Sequence, residues 1–161
     1  MPYPASAIAY AFVRKAIEAG ELITQMKVQK MVFFAHGYHL AKYGRPLIQE
    51  RFEAWKFGPV VPTIYQDFKF YGSKPITDAD YITFAPKELA NYKFDEEAED
   101  AINYTWEVTK DLSAVALSSW THQPNSPWSN VYNPEEWSTL IDNTDIKEYF
   151  KELLSTNTVN G

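Results

Sequence analysis

The stretch MKVQKMVFFAHGYHLAKY, residues 26–43, decides how this chain folds. Its apolar side chains run down two lines at helical spacing, Val28, Met31, Val32 and Ala35 on one and Phe34, Tyr38 and Ala41 on the other. A helix that is apolar on more than one side belongs at the centre of a bundle, because each apolar face needs a neighbour to leave water. Thr24 offers a hydroxyl to the free N–H groups at its start, and Gly44 and Pro46 end it. Gly37 costs roughly 1 kcal/mol against alanine within a helix, so its presence marks the close approach of another element.

Outward from this helix the pattern is mostly helical. Pro4–Ala19 carries one apolar stripe (Ile8, Ala9, Phe12, Val13, Ala16, Ile17) and stops at Gly20. Residues 51–57 alternate, with Glu53, Trp55 and Phe57 on one side and Phe52, Ala54 and Lys56 on the other, as a short strand does; Leu47 and Ile48 are its expected hairpin partner. Gly58 and Pro59 are expected to break the strand and open a third helix. Both Pro59 and Pro62 fit in its first turn, where N–H groups have no internal partner. Val61, Ile64, Tyr65 and Phe68 form the buried stripe of that helix, which Gly72 ends. Residues 73–94 read as irregular, with an extended piece at Tyr81–Phe84. Further helices are expected at Asp95–Lys110, Ser113–Trp120 and Thr144–Leu154, and 121–134 reads as loop. The expected fold is mainly α (α+β): a compact bundle of about six helices with one small β-hairpin, forming a single domain over residues 1–161.

Composition narrows the function. At 161 residues the chain buries roughly 70% of its unfolded surface and needs no metal or disulfide to fold. It has no cysteine, which excludes disulfides, cysteine zinc sites, iron–sulfur ligation and a thiol nucleophile. No apolar run approaches the ~20 residues of a membrane span, and the first residues lack a basic region, so no membrane partner and a cytoplasmic location are expected. The net charge of −6 is uneven: residues 1–75 carry +5 and residues 76–161 carry −11. An acidic chain argues against a nucleic-acid partner, since phosphate contacts need a basic face.

The sequence has no phosphate loop, nucleophile elbow, HExxH or dinucleotide fingerprint. His36 and His39 lie three apart on the central helix, and Glu53 or His122 is the nearest candidate for a third metal ligand. The stronger reading makes the first two core histidines bonded to backbone carbonyls, and makes His122 a donor at a helix C-terminus. No catalytic residue, metal or cofactor is assigned on these grounds. A small metal-dependent or hydrolytic enzyme using His36, His39, His122 and Glu53 is the rival reading.

Aromatic residues reach 16%, and Trp55, Phe57, Tyr65, Trp120, Trp128, Tyr132 and Trp137 are more than one core usually needs. Trp55, Phe57, Tyr65, Trp120, His122, Trp128 and Tyr132 are the partner-binding candidates, because Trp and Tyr are enriched at interface hot spots. Trp128 and Tyr132 sit in a proline-flanked stretch and are the pair expected to be exposed.

Three segments in order carry a resemblance. They are Lys27-Val28-Gln29-Lys30-Met31 through Phe34-Ala35-His36-Gly37-Tyr38-His39-Leu40-Ala41; Glu53-Ala54-Trp55-Lys56-Phe57-Gly58-Pro59-Val60-Val61-Pro62; and Leu117-Ser118 with Thr121-His122-Gln123 and Ser126-Pro127-Trp128. Together they resemble the SocA-like antitoxin family, whose shared unit is the Panacea domain and many of whose members are labelled phage-associated proteins. The likeness spans about residues 24–130, and Val28 stands where the family usually has leucine. It implies a bacterial or prophage antitoxin that binds a cognate toxin protein encoded separately, and in some relatives also hands it to an ATP-dependent protease. Relatives with an added helix-turn-helix regulate their own genes; 161 residues leave no room for that unit. The family motif falls on Gln29, Lys30, His36, Gly37, His39, Glu53, Trp55, Gly58, Pro59, Val60, Thr121, His122, Ser126, Pro127 and Trp128, which are expected to fix the fold rather than form a shared surface. A prophage protein of host-interaction role is a third reading.

Overall fold

A computed structural model describes residues 1–78, 80, 81 and 85–160. Helix α1 (Ala5–Ala19) follows Pro4 and ends at Gly20, whose φ of 69° is the left-handed cap read from the sequence. Helix α2 (Gln25–Tyr43) starts where the Thr24 hydroxyl accepts from the Lys27 N–H and ends at Gly44, φ 74°. Its residues 28–40 are all buried. It is the axis of the domain: α1, α5 (Glu96–Thr109), α6 (Ala114–Thr121) and the C-terminal α8 (Asn143–Asn160) all pack against it.

Gly37 shows why. A Cβ at this position would overlap the ring of Phe150, which lies on α8. Phe150 is fully buried and meets Phe33, Phe34 and Trp120 edge-on at ring separations of 5.7, 5.3 and 5.8 Å. The missing side chain lets the two helices close on a shared aromatic cluster.

The β part is a three-stranded antiparallel sheet in the order β2–β1–β3: β1 Phe52–Trp55, β2 Gly58–Val60 and β3 Thr139–Ile141. This corrects two expectations. Leu47 and Ile48 are not the hairpin partner of β1, because both of its edges are already filled; the Ile48 region instead pairs with Tyr3 near the N-terminus. Gly58 and Pro59 extend the sheet instead of opening a helix, and α3 begins later, at Pro62 (Pro62–Phe68). A 3₁₀ turn, Lys69–Tyr71, follows it and ends at Gly72. The stretch 121–134 is not all loop: Ser126 caps a short helix, α7 (Pro127–Val131), by accepting from the Ser129 N–H at 3.1 Å. Of the expected Tyr81–Phe84 strand, Tyr81 lies in a helical turn, bonded to the Thr77 carbonyl, and residues 82–84 lie outside the described set. With the one-turn α4 (Lys87–Ala90), the described residues form eight α-helices, two more than expected, and the mainly α class holds.

Gly37→Ala is expected to lower unfolding stability by about 1–3 kcal/mol, read from urea denaturation, although alanine is the better helix former by about 1 kcal/mol. Overpacking against Phe150 outweighs propensity here.

Candidate functional site

The three motif segments, far apart in sequence, meet at one turn. Between Trp55 and Val61 every second carbonyl accepts a hydrogen bond from a side chain of another segment. Trp128 Nε1 donates to the Trp55 carbonyl at 2.6 Å and Ser118 Oγ to the Phe57 carbonyl at 2.7 Å. Lys30 Nζ donates to the Pro59 carbonyl at 3.2 Å and Gln29 Nε2 to the Val61 carbonyl at 3.1 Å. Gln29 Oε1 also accepts from the Val61 N–H at 3.0 Å, so this one side-chain amide pairs with the backbone on both its sides, as a neighbouring strand would.

Gly58 is the only residue type that fits the centre of this turn. Its φ is 122°, and a Cβ would lie 2.7 Å from Lys30 Cε and 2.8 Å from Thr121 Oγ1. Thr121 in turn donates to the Ser118 carbonyl at 2.7 Å, and Ser126 Oγ to the Thr121 carbonyl at 2.8 Å. Lys30 is 2% exposed, and burial alone pulls its amine down to about 7. The His122 ring stacks on Trp128 at 3.9 Å, and Trp128 on Tyr132 at 4.4 Å. Among the described residues His122 Nε2 is buried without a hydrogen-bond partner; burial and then the nearby Lys30 charge lower its pKa.

The histidines do not converge. His36 is fully buried, shares a hydrogen bond of 3.0 Å with Asn143 Oδ1, and is pushed down to about 4 by burial. His39 Nδ1 meets the Arg45 carbonyl at 2.7 Å. His122 follows α6, next to the motif turn. Glu53 Oε1 accepts from Trp55 Nε1 at 3.0 Å and from Ser138 Oγ. Among the described residues no three His, Asp or Glu side chains are grouped to hold a metal ion. A cavity of about 780 Å³ lined by Tyr10, Phe68, Tyr71, Ile76 and Tyr81 contains none of the histidines.

The aromatic candidates divide by exposure. Trp128 is 9% exposed and Tyr132 half-buried, contrary to the expected exposure of that pair, because α7 turns the Trp128 ring onto the motif turn and the His122 ring, and Tyr132 stacks on Trp128. Trp120 is half-buried against Phe33, Phe34 and Phe150. Phe57 and Tyr65 are exposed, and Trp55 is half-buried between its neighbours. Tyr65 and Trp137 flank Trp55 at ring separations of 5.2 and 5.6 Å, and Phe57 stands at the hairpin tip, 58% exposed. Trp137, 83% exposed, and Leu140, 55% exposed, complete this face. Leu140 was not selected from the sequence, whereas Trp137 is one of the surplus aromatic residues noted there.

Replacing Gln29 with methionine, of similar size, leaves the Val61 N–H and C=O buried and unpaired. It is expected to cost about 2–4 kcal/mol in urea unfolding. Because the folded chain holds Lys30 below its unfolded value of 10.5, the unfolded state binds more protons between about pH 7 and 10.5. Stability should therefore rise with pH from 7.5 to 9.5, and Lys30→Met should flatten that rise.

Comparisons with known proteins bear on this geometry. The family model described as Antitoxin SocA-like, Panacea domain, matches residues 28–129 and so takes in all three segments that build the turn. The protein named Antitoxin SocA from Caulobacter vibrioides (strain NA1000 / CB15N) is 32% identical over 132 residues, covering 80% of this chain and 70% of its own length. No solved structure matches the chain significantly. With the motif residues of α2, the β-turn and α6–α7 joined at one buried node, and the family model spanning that whole node, this chain belongs to the SocA-like antitoxin family of Panacea-domain proteins.

Proposed function

We propose that the protein is a non-enzymatic antitoxin that binds a separately encoded toxin in a stoichiometric complex and holds it inactive. The observation that carries this reading is the aromatic face built on the sheet: half-buried Trp55 between exposed Tyr65 and Trp137, with Phe57 and Leu140 also exposed. Large apolar side chains grouped at a surface mark interaction sites, and Trp and Tyr contribute most to binding energy at such sites. The sheet beneath them is held by the buried node, so the face needs little ordering when a partner docks. Trp120, His122, Trp128 and Tyr132 then support the surface from below. Transfer of the bound toxin to an ATP-dependent protease is a further use of the same complex, and a cytoplasmic site of action fits a toxin made in the same cell. Among the described residues no helix is long and apolar enough to cross a membrane.

The test is co-expression with the adjoining reading frame. Its product is expected to arrest growth alone, to be relieved by this chain and to co-purify with it. Replacing Trp55, Tyr65 and Trp137 together with alanine should weaken the complex at least 100-fold. His36→Gln and His39→Gln, provided they fold, should leave neutralisation intact; its loss in folded histidine variants would favour the enzyme reading.

A further inference from the structure

The two edges of the small sheet are finished differently. The loop between β1 and β2 has only two residues, Lys56 and Phe57, so Trp55 and Gly58 form the hydrogen-bonded closing pair. Alternation then makes Glu53 and Val60 the next hydrogen-bonded pair, and turns the backbone groups of Phe52 and Ala54 toward β3, opposite Ile141 and Thr139. The outer edge of β2 is therefore presented by Pro59, which has no N–H and whose carbonyl is taken by Lys30. Just beyond, Gln29 occupies both backbone groups of Val61. That edge is closed.

The same alternation turns the N–H and carbonyl of Leu140 away from β1, onto the outer edge of β3. Among the described residues nothing hydrogen-bonds to either group. Exposed edges of this kind accept an added strand, and most proteins block them. Here the Leu140 side chain is exposed and Trp137 stands three residues before it.

We propose that the partner adds an extended segment to the β3 edge, pairing with the Leu140 backbone and laying its apolar side chains over Leu140 and the Trp55–Trp137 face. This deepens the toxin-binding reading and rests on it. Charge complementarity selects a partner with basic residues flanking that segment: residues 133–152 contain six carboxylates and two lysines. For the same reason a second copy of this chain is disfavoured at the edge, since two-fold pairing would set acidic flank against acidic flank.

Leu140→Pro read against Leu140→Ala tests the proposal: both lose the leucine side chain, and only proline loses the N–H that points away from β1, at a position where an edge strand tolerates it. With the tagged adjoining-frame product as probe, Leu140→Pro should weaken the complex at least tenfold beyond Leu140→Ala, while Leu140→Val, which keeps the N–H, should stay within about threefold of the unsubstituted chain. Hydrogen exchange of the unsubstituted chain supplies a second readout that needs no variant: the Leu140 amide should be protected in the complex and exchange freely without the partner. Binding by folded Leu140→Pro as tight as by Leu140→Ala, or an unprotected Leu140 amide in the complex, overturns strand addition while leaving the aromatic-face reading standing. A dimer of this chain alone that Leu140→Pro makes monomeric overturns it in favour of self-pairing. Failure to form any complex with that product overturns both readings.

Discussion

The structure depends on how one turn's carbonyls are satisfied. Those of residues 57, 59 and 61 point away from any further strand, and that of Trp55, already within the β1–β2 ladder, takes a second donor. A buried carbonyl left unpaired costs about 1–3 kcal/mol, so losing the donors to the two buried ones, at Pro59 and Val61, would consume an appreciable part of a small domain's stability. Side chains of α2, α6 and α7 donate to all four, and in doing so fasten the sheet to three helices at once. The arrangement also explains the glycine at its centre, where both the positive φ and the crowding by Lys30 and Thr121 exclude a side chain. Burying a lysine amine with one acceptor is costly, and that cost appears as its depressed pKa.

The same node makes the two edges of the sheet unequal. Gln29, Lys30 and Pro59 close one edge of the sheet by the means other proteins use against unwanted strand pairing. The opposite edge carries no such protection among the described residues and lies beside the aromatic face.

The central helix was legible because it is apolar around most of its circumference and capped at both ends, so local pattern and tertiary burial agree. The other long helices were legible for similar reasons: Asp95 and Ser113 cap theirs, as their positions before apolar stripes suggest. The β3 strand was not legible, since Thr139-Leu140-Ile141 is too short to show alternation and is recruited by β1 from 85 or more residues away. Trp128 was misplaced for a related reason. Prolines beside it suggest an exposed loop, whereas its Nε1 reaches the Trp55 carbonyl and buries the ring.

The sequence by itself determined a cysteine-free, mainly helical domain organised around residues 25–43, because hydrophobic periodicity and capping act over a few residues. It also carried the family likeness in three separated segments. Only the tertiary structure decided what those segments do, since hydrogen bonds from Gln29, Lys30, Ser118 and Trp128 to one short stretch of backbone require the chain to return to it from both sides. Tertiary structure likewise divided the aromatic residues. Whether a tryptophan fills a core or faces solvent depends on which elements close over it, and that is set by contacts distant in sequence.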